Sequence, residues 1–190
     1  GRITEATIFS EQNGPTLIDS IRISSQYNEE EQQLFSISSP FVNAKAVGHF
    51  RWKDLAPAFL SITHLALPSI FPEPQHSISS ENDITFAISA KDTTLLGSLT
   101  GKDIRIPETA IIQGEMNNIN QRIILNANIP QFYIAGNDLR HTELHLESYK
   151  NVIQTILKTE RIMKGKATEL NVNAYANQNK LIARLDCDNH

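Results

Sequence analysis

The sequence lacks most of the features by which a chemical activity is recognised. One cysteine, Cys187, occurs among 190 residues, so no disulfide can form within the chain. No run of about 18 apolar residues is present, which excludes a membrane-spanning helix within this sequence. Hydrophobic residues are nevertheless 40% and charged residues 20%, and this balance favours a packed domain over disorder.

Motifs that carry catalysis or phosphate binding are also missing. The chain has no Gly-rich phosphate loop, no Gly-x-Ser-x-Gly, no His-Glu-x-x-His and no Cys-x-x-Cys. Its formal net charge is −4, and its 17 Lys and Arg residues are scattered singly, which argues against nucleic acid as a partner. An enzyme is therefore the weakest of the interpretations, and neither a cofactor nor a metal is expected.

Two histidines and two glutamates on one predicted strand are candidates for a metal or catalytic site. His141 and His145 are four residues apart on a predicted strand, so they share a face but lie ~13 Å apart, too far to hold one metal. Glu143 and Glu147 lie on the same face, but any charged β face offers such pairs. We interpret all four as exposed polar residues, and Trp52 as a packing anchor rather than a ligand platform.

The most informative stretch runs from Ser39 to Pro68. Its first half alternates between apolar and polar residues from Val42 to Phe50, which indicates a half-buried strand. Its second half has apolar residues at helical spacing and predicts one amphipathic helix over residues 54–67, with Asp54 as N-cap and Pro57 in the first turn. Such a helix is suited to cover one end of a β core.

The rest of the chain reads as short strands joined by polar turns, which predicts an antiparallel meander. Residues 91–102 are ambiguous, with a short helical turn capped by Asp92 as one interpretation, and residues 152–163 fit a strand or a helix. Pro130 is expected to end a strand. The spacing fits a sandwich, a barrel or an open curved sheet equally well.

Several passages between Leu34 and Leu146 resemble TamB-like proteins of the Bacteroidetes type. The strand from Phe41 to Trp52 runs directly into the helix, as in the family's S-x-F-x-x-A-x-x-x-G-x-F … L-P-x-x-L passage. The strands at Asn82–Phe86 and Ile111–Gly114 and the passage Asn126–Leu139 are similar too. One departure is that Ala56, not Leu, precedes Pro57.

The resemblance implies a fold, a function and a location. TamB belongs to the AsmA-like group of bridge-like lipid transfer proteins, long periplasmic β structures anchored in the inner membrane. Their repeated strands curl into a half-pipe, or β-taco, with an apolar concave face. The group is linked to phospholipid transport, to protein secretion and to outer-membrane biogenesis, with an outer-membrane β-barrel assembly protein as partner. The chain would then be one β-rich domain, an internal segment of such a protein; its start at Gly1 rather than Met fits a fragment.

The expected fold is thus mainly β: a curved antiparallel meander with an apolar concave face and one helix. The alternative is an extracellular or surface β-sandwich that binds a glycan or protein. In the first case, acyl chains of phospholipids would contact the apolar face of the predicted strands, and the helix would cover that face. The groove candidates are Ile84, Phe86, Ile88, Ile112, Met116, Ile123, Leu125, Ala127, Ile129, Leu144, Leu146, Leu170, Val172, Leu181 and Leu185, and the covering helix contributes Leu55, Phe59, Ile62, Leu65 and Ala66.

Overall fold

A computed structural model describes residues 2–3, 6–10, 14–18, 20–75, 78, 80–91 and 104–189, with side chains from residue 20 onward. These residues form one helix, α1 (Trp52–Ala66), and a series of strands. The strands are β1 (Arg2–Ile3), β2 (Ala6–Ser10), β3 (Gly14–Ile18), β4 (Ile21–Tyr27), β5 (Gln33–Ser38), β6 (Val42–His49), β7 (Asp83–Ala90), β8 (Ile104–Arg105), β9 (Ala110–Asn117), β10 (Arg122–Ile134), β11 (Asn137–Tyr149), β12 (Val152–Met163), β13 (Lys166–Asn177) and β14 (Lys180–Asn189).

Nearly all of these strands belong to one antiparallel sheet. Its order is β1-β4-β5-β6-β7-β9-β10-β11-β12-β13-β14, with β8 beside β10, and β2 and β3 form a separate hairpin. Neighbours in sequence are mostly neighbours in space because the turns are too short for other pairings. The sheet is not closed into a barrel, and the described strands include no second large sheet packed on it. The predicted mainly β meander is therefore confirmed, and of the three architectures the open sheet is the one that forms.

The strand register sorts the apolar residues onto one face of the sheet. Phe86 pairs with Gly114, Gly114 with Leu125, and Leu125 with Leu146, so a single row of positions runs across four strands, with a side chain at each position except Gly114. We call the face that carries this row the inner face, because α1 packs on it, and the opposite one the outer face. All fifteen predicted groove positions lie on the inner face.

The sheet curves around the helix. Trp52, at the start of α1, contacts Phe35 of β5, and Ala66, at its end, is bonded to the turn between β13 and β14. A 15-residue helix is ~22 Å long. In a flat sheet the seven steps from β5 to β13 would cover ~34 Å at ~4.8 Å each. The helix is thus shorter than a flat sheet would be between the two contacts, and the difference exceeds the length of a Trp side chain. The strands therefore bend toward the helix, and the inner face is concave.

The core lies between α1 and one end of the strands. A first cluster joins Ala58 and Ile62 of the helix to Ile84, Met116 and Ile123 of the sheet. A second cluster joins Ala66 and Leu67 to Ile153 and Ala176. Because Ala58 and Ala66 are small, the helix axis can approach the strands closely, and burial of this stripe holds the helix in place.

The helix begins two residues earlier than the spacing predicts. Arg51 occupies the N-cap position and makes no side-chain cap hydrogen bond, so Asp54 is not the cap. Asp54 instead lies buried in the first turn, where it accepts a hydrogen bond of 3.1 Å from the hydroxyl of Ser80. Pro57 consequently falls in the second turn, at the cost of one backbone hydrogen bond.

Of the two interpretations of residues 152–163, the strand is the one that forms, as β12. One boundary differs from its prediction. Pro130 does not end a strand: β10 continues through it, because the pairing with β9 has already stopped at Asn128 and the ladder with β11 skips Pro130. The ambiguous segment after Lys91, including Asp92, lies outside the described residues.

Candidate apolar groove

A cavity of about 520 Å³ opens between α1 and the inner face. This is within the usual range of small-molecule pockets, ~300–1,000 Å³. Its wall is almost wholly apolar because the inner-face positions of β5, β6, β7, β9, β10 and β11 converge on it from below and the helix closes it from above. The apolar residues that line it are Phe35, Ile37, Ala44, Ala46, Trp52, Leu55, Ala56, Phe59, Ile84, Phe86, Ile88, Met116, Ile123, Ile124, Leu125 and Leu146, and Lys45 and Glu115 also border it.

The predicted groove residues divide between this cavity and the face beyond it. Seven line the cavity: Ile84, Phe86, Ile88, Met116, Ile123, Leu125 and Leu146. The other eight continue the apolar inner face toward the far strand ends and toward β14: Ile112, Ala127, Ile129, Leu144, Leu170, Val172, Leu181 and Leu185. On β14 both Leu181 and Leu185 are exposed, so the apolar inner face extends from the partly open cavity to an open edge at β14.

The helix positions divide in a similar way. Ile62 and Ala66 are buried against the sheet, whereas Leu55 and Phe59 line the cavity. Leu65 is 37% exposed and does not line the cavity, so its expected role in covering the groove has no counterpart there.

Aromatic rings surround the entrance beside Trp52. The Trp52 ring packs edge-on against Phe35 and Phe50, with ring centroids 4.6 and 5.1 Å apart. Its side chain is 52% exposed and also lines the cavity. Trp52 therefore anchors the junction between strand and helix and at the same time borders the space that a ligand would occupy.

A buried polar cluster fastens the beginning of the helix. The side chain of Asn82 is fully buried; its Oδ1 accepts the backbone N–H of Arg51 over 3.0 Å, and its Nδ2 donates to the carbonyl of Ser80 over 3.0 Å. The backbone N–H of Asn82 donates to Oδ1 of Asn118 over 2.7 Å. The turn between β9 and β10 is thereby tied to the residue that precedes α1.

A second set of polar contacts fastens the end of the helix. The backbone N–H of Asn179 donates to the carbonyl of Ala66, and the Oδ1 of the same Asn accepts the N–H of Ser69 over 3.1 Å. A ring nitrogen of His64 lies 2.8 Å from the carbonyl oxygen of Phe71. Hydrogen bonds thus hold both ends of α1 to the sheet or to the neighbouring loop. The helix therefore covers one end of the trough.

Sequence reasoning missed these asparagines. Asn82 precedes a strand and Asn118 and Asn179 lie in turns, which is where Asn is common for purely local reasons. Their partners are 31 to 110 positions away, and a single sequence carries no local signal for such pairs.

A polar cluster lies near the ends of β10 and β11 that are farthest from α1. The Gln131 side chain donates to the Tyr133 hydroxyl and to Asp138, at 2.7 and 2.9 Å. Asp138 pairs with Ile162 across a register shift, so the alternation that defines the inner face does not extend to this cluster. Asp138 also forms an ion pair of 3.0 Å with Arg140. The hydrogen bond from Arg140 lowers the pKa of Asp138 below its usual 3.8, against an opposing effect of desolvation, and Gln131 lowers it further. The guanidinium of Arg105 lies 4.7 Å from the Tyr133 ring centroid.

His141 and His145 contact different partners. A ring nitrogen of His145 lies 2.7 Å from Oδ1 of Asn126, and His141, which has a φ of 49°, contacts Glu160 at 3.2 Å. A register shift between Arg140 and Glu143 places a bulge next to His141. In the part of the chain that the structure describes, no three His, Cys, Asp or Glu side chains are grouped as metal ligands would be.

Within the described ranges, the single helix is too short and too polar to cross a membrane.

Comparison with known proteins identifies no similar protein. No protein-family model, no curated protein and no solved structure matches the chain.

Proposed function

We propose that the inner face binds the acyl chains of lipids and that the domain is a non-enzymatic, lipid-shielding segment. The observation that carries this proposal is the apolar cavity between α1 and the inner face, which continues into an open apolar trough. Each methylene that leaves water for such a surface gains ~0.8 kcal/mol, so a chain of many methylenes binds without any specific polar contact.

The geometry suits an elongated ligand better than a compact one. On β10 the inner face is apolar from Ile123 to Ile129, a distance of ~20 Å. One leaflet of a bilayer has a hydrocarbon thickness of ~15 Å, half of the ~30 Å core, so an acyl chain fits along the strand direction. The outer face along the same strand carries Asn126 and Asn128 among its residues, which a hydrocarbon would not favour.

The resemblance to TamB-like proteins gives this proposal its biological setting. On that resemblance the segment belongs to a periplasmic bridge anchored in the inner membrane. There it serves phospholipid transport to the outer membrane or the assembly of outer-membrane proteins. An outer-membrane β-barrel assembly protein is the proposed partner, through other parts of the full-length chain. No cofactor is needed, since shielding a chain from water requires no chemistry.

A binding experiment with a photoreactive phospholipid tests the proposal. Trp52 is the only tryptophan in the sequence and borders the cavity, so lipid entry should shift its emission, and irradiation should crosslink the lipid to the domain. Leu125→Arg places a charge on the cavity wall and should abolish both signals. Ile156→Arg makes a comparable change on the outer face and should leave them intact.

The outcomes of this experiment are separable once each variant is shown to be folded by circular dichroism. A folded Leu125→Arg protein that crosslinks as well as the unaltered protein contradicts the groove. An unaltered domain that takes up no lipid, yet is retained by an immobilised glycan, favours the second candidate, a surface binding module. For that candidate the shallow outer-face depression beside Gln113, Asn126 and Asn128 is the place to examine, because amide side chains hydrogen-bond sugars.

A further inference from the structure

The strand β14 forms one edge of the large sheet, and in the described part of the chain no strand pairs with its free side. Leu181 and Leu185 lie on its inner face at 53% and 60% exposure, and Ile182 lies on its outer face at 67%. β14 contains no proline, and its ladder with β13 has no bulge. Edge strands of monomers are usually protected from other strands by such features. β14 is therefore an edge that can accept a further strand.

The turn before β14 decides which backbone groups face the free side. Gln178 and Asn179 form a two-residue turn with positive φ, and Asn177 and Lys180 flank it as a pair. In a hairpin of this type the flanking pair exchanges both backbone hydrogen bonds, and such pairs recur at every second residue. The even-numbered residues of β14 therefore bond to β13. The odd-numbered residues direct their N–H and C=O groups to the free side, and they are Leu181, Ala183, Leu185 and Cys187.

The charged residues of β14 have one sign in each half of the strand. Lys180 and Arg184 come first and Asp186 and Asp188 follow, and all four lie on the outer face. An antiparallel pair of two such strands brings the basic half of one against the acidic half of the other, whereas a parallel pair in register would place like charges side by side. The strand is thus complementary in charge to an antiparallel copy of itself.

We propose that two copies of this chain pair antiparallel through β14, about a two-fold axis at Ala183. Lys180 of one copy then lies opposite Asp186 of the second copy. Leu181 lies opposite Leu185 of the second copy, and each of these contacts occurs twice by symmetry. Asp186 can keep the ion pair of 3.0 Å that it forms within its own strand. Because the edge pairs with itself, the assembly closes at two copies.

Other positions of the axis are less favourable. An axis at Arg184 would place this residue opposite itself, and an axis at Leu185 would place Ile182 opposite Asp188. Since odd-numbered residues pair only with odd-numbered ones, the inner faces of both copies lie on the same side of the joined sheet. The apolar inner face would then continue from one copy into the other. This inference goes beyond the proposed function and does not depend on lipid binding.

Sedimentation velocity of the domain over a range of concentrations tests the pairing. One pair of strands buries less than a standard interface of ~1,600 Å², so we expect a monomer–dimer equilibrium with a dissociation constant of about 1–100 μM. Lys180→Asp places like charges opposite each other twice and should raise this constant at least about tenfold. Lys158→Asp is the matched control, because it changes the net charge equally on the outer face of β12, two strands from the edge. It should raise the constant less than about twofold.

The backbone groups of β14 give a second test. Ala183→Pro removes an N–H that faces the free side and none of the hydrogen bonds to β13, so the variant should fold, by circular dichroism, and stay monomeric at every concentration. If it does not fold, amide exchange of the unaltered protein replaces it. The amide hydrogens of Leu181, Ala183 and Leu185 should exchange slowly above the dissociation constant and rapidly below it. Those of Ile182 and Arg184 should be protected in both conditions.

Several results would overturn the inference. A monomer at every concentration, or a dimer that a folded Ala183→Pro protein still forms, contradicts pairing through β14. Equal effects of Lys180→Asp and Lys158→Asp contradict the antiparallel charge pairing. Slow exchange of the odd-numbered amides at every dilution would assign the edge to another segment of the same molecule. Species larger than a dimer would assign it to the opposite edge of a second copy.

Discussion

The backbone N–H of Asn179 donates to the carbonyl oxygen of Ala66 over 2.9 Å and so joins the last hairpin of the sheet to the last turn of the helix. Helix C-termini leave carbonyl groups without partners, and here a β-turn supplies one. The turn can do so because Gln178 and Asn179 both adopt positive φ, at 48° and 60°, which directs the Asn179 N–H outward from the hairpin.

Removal of the Asn179 side chain should weaken this attachment. Asn179→Gly keeps the turn conformation but loses the acceptor for the Ser69 N–H, and we expect the free energy of unfolding to fall by about 1 kcal/mol. Urea denaturation measures the change. Gln178→Gly, in the same turn, removes no contact of this kind and should not destabilise the domain; an Asn179→Gly variant as stable as Gln178→Gly would show that the side-chain bond contributes nothing.

Asn82 should be far more sensitive than exposed asparagines. Asn82→Ala removes the side-chain acceptor of the Arg51 N–H and one of the two side-chain donors to the Ser80 carbonyl, which keeps its bond from Asn118. A loss of about 1–3 kcal/mol is expected. Asn120→Ala, in the exposed part of the β9–β10 turn, is the control and should change stability by less than about 0.5 kcal/mol. Thermal unfolding of both proteins compares them directly, and similar melting temperatures would contradict the role given to Asn82.

Two glycines with positive φ should respond differently to alanine. A Cβ at Gly48, where φ is +144°, would overlap the carbonyl oxygen of Asp83 on the paired strand, so Gly48→Ala should cost more than about 3 kcal/mol or prevent folding. Gly136→Ala meets no atom within 4 Å at a φ of +77° and should cost only about 1 kcal/mol of backbone strain. Soluble yield and denaturant midpoints show which of the two variants is less stable. Equal destabilisation by the two substitutions would contradict the close approach of Asp83 to Gly48.

The ion pair of Asp138 and Arg140 should make stability depend on pH in acid. The folded-state pKa of Asp138 is lowered below 3.8 mainly by its hydrogen bond from Arg140. Its contribution is therefore present above pH ~4 and is lost as the pH falls through the folded-state value. Asp138→Asn should be less stable than the unaltered protein at pH 7 and equally stable near pH 2. Melting curves across this range test the sign, and a difference that grows on acidification would contradict it.

The face on which most side chains of a regular strand lie follows from the sequence alone. Alternation along a strand is a property of the backbone, so residues such as Ile84, Phe86 and Ile88 share a face whatever the neighbouring strand is. Short turns then make sequential strands pair, and the faces match from strand to strand. For these reasons the meander and the grouping of the fifteen apolar positions were predictable.

Where elements begin and end was less predictable, because local rules compete with packing. Pro130 reads as a strand end, yet β10 passes through it since neither neighbour pairs with it at that point. The local sequence predicts Asp54 as the N-cap, yet the helix starts earlier, at Trp52, which packs against Phe35. Asp54 is then buried in the first turn beside Ser80. In both places a contact with a distant residue decides what the local signal leaves open.

The sequence by itself determined a one-sided β ribbon and one amphipathic helix, because side-chain periodicity is set by backbone geometry. Only the tertiary structure decided that the ribbon stays open, that it bends around α1, and that a cavity remains between them. Those outcomes depend on asparagines that bond across long sequence separations and on the size of side chains meeting from different strands, and neither is encoded in any local pattern.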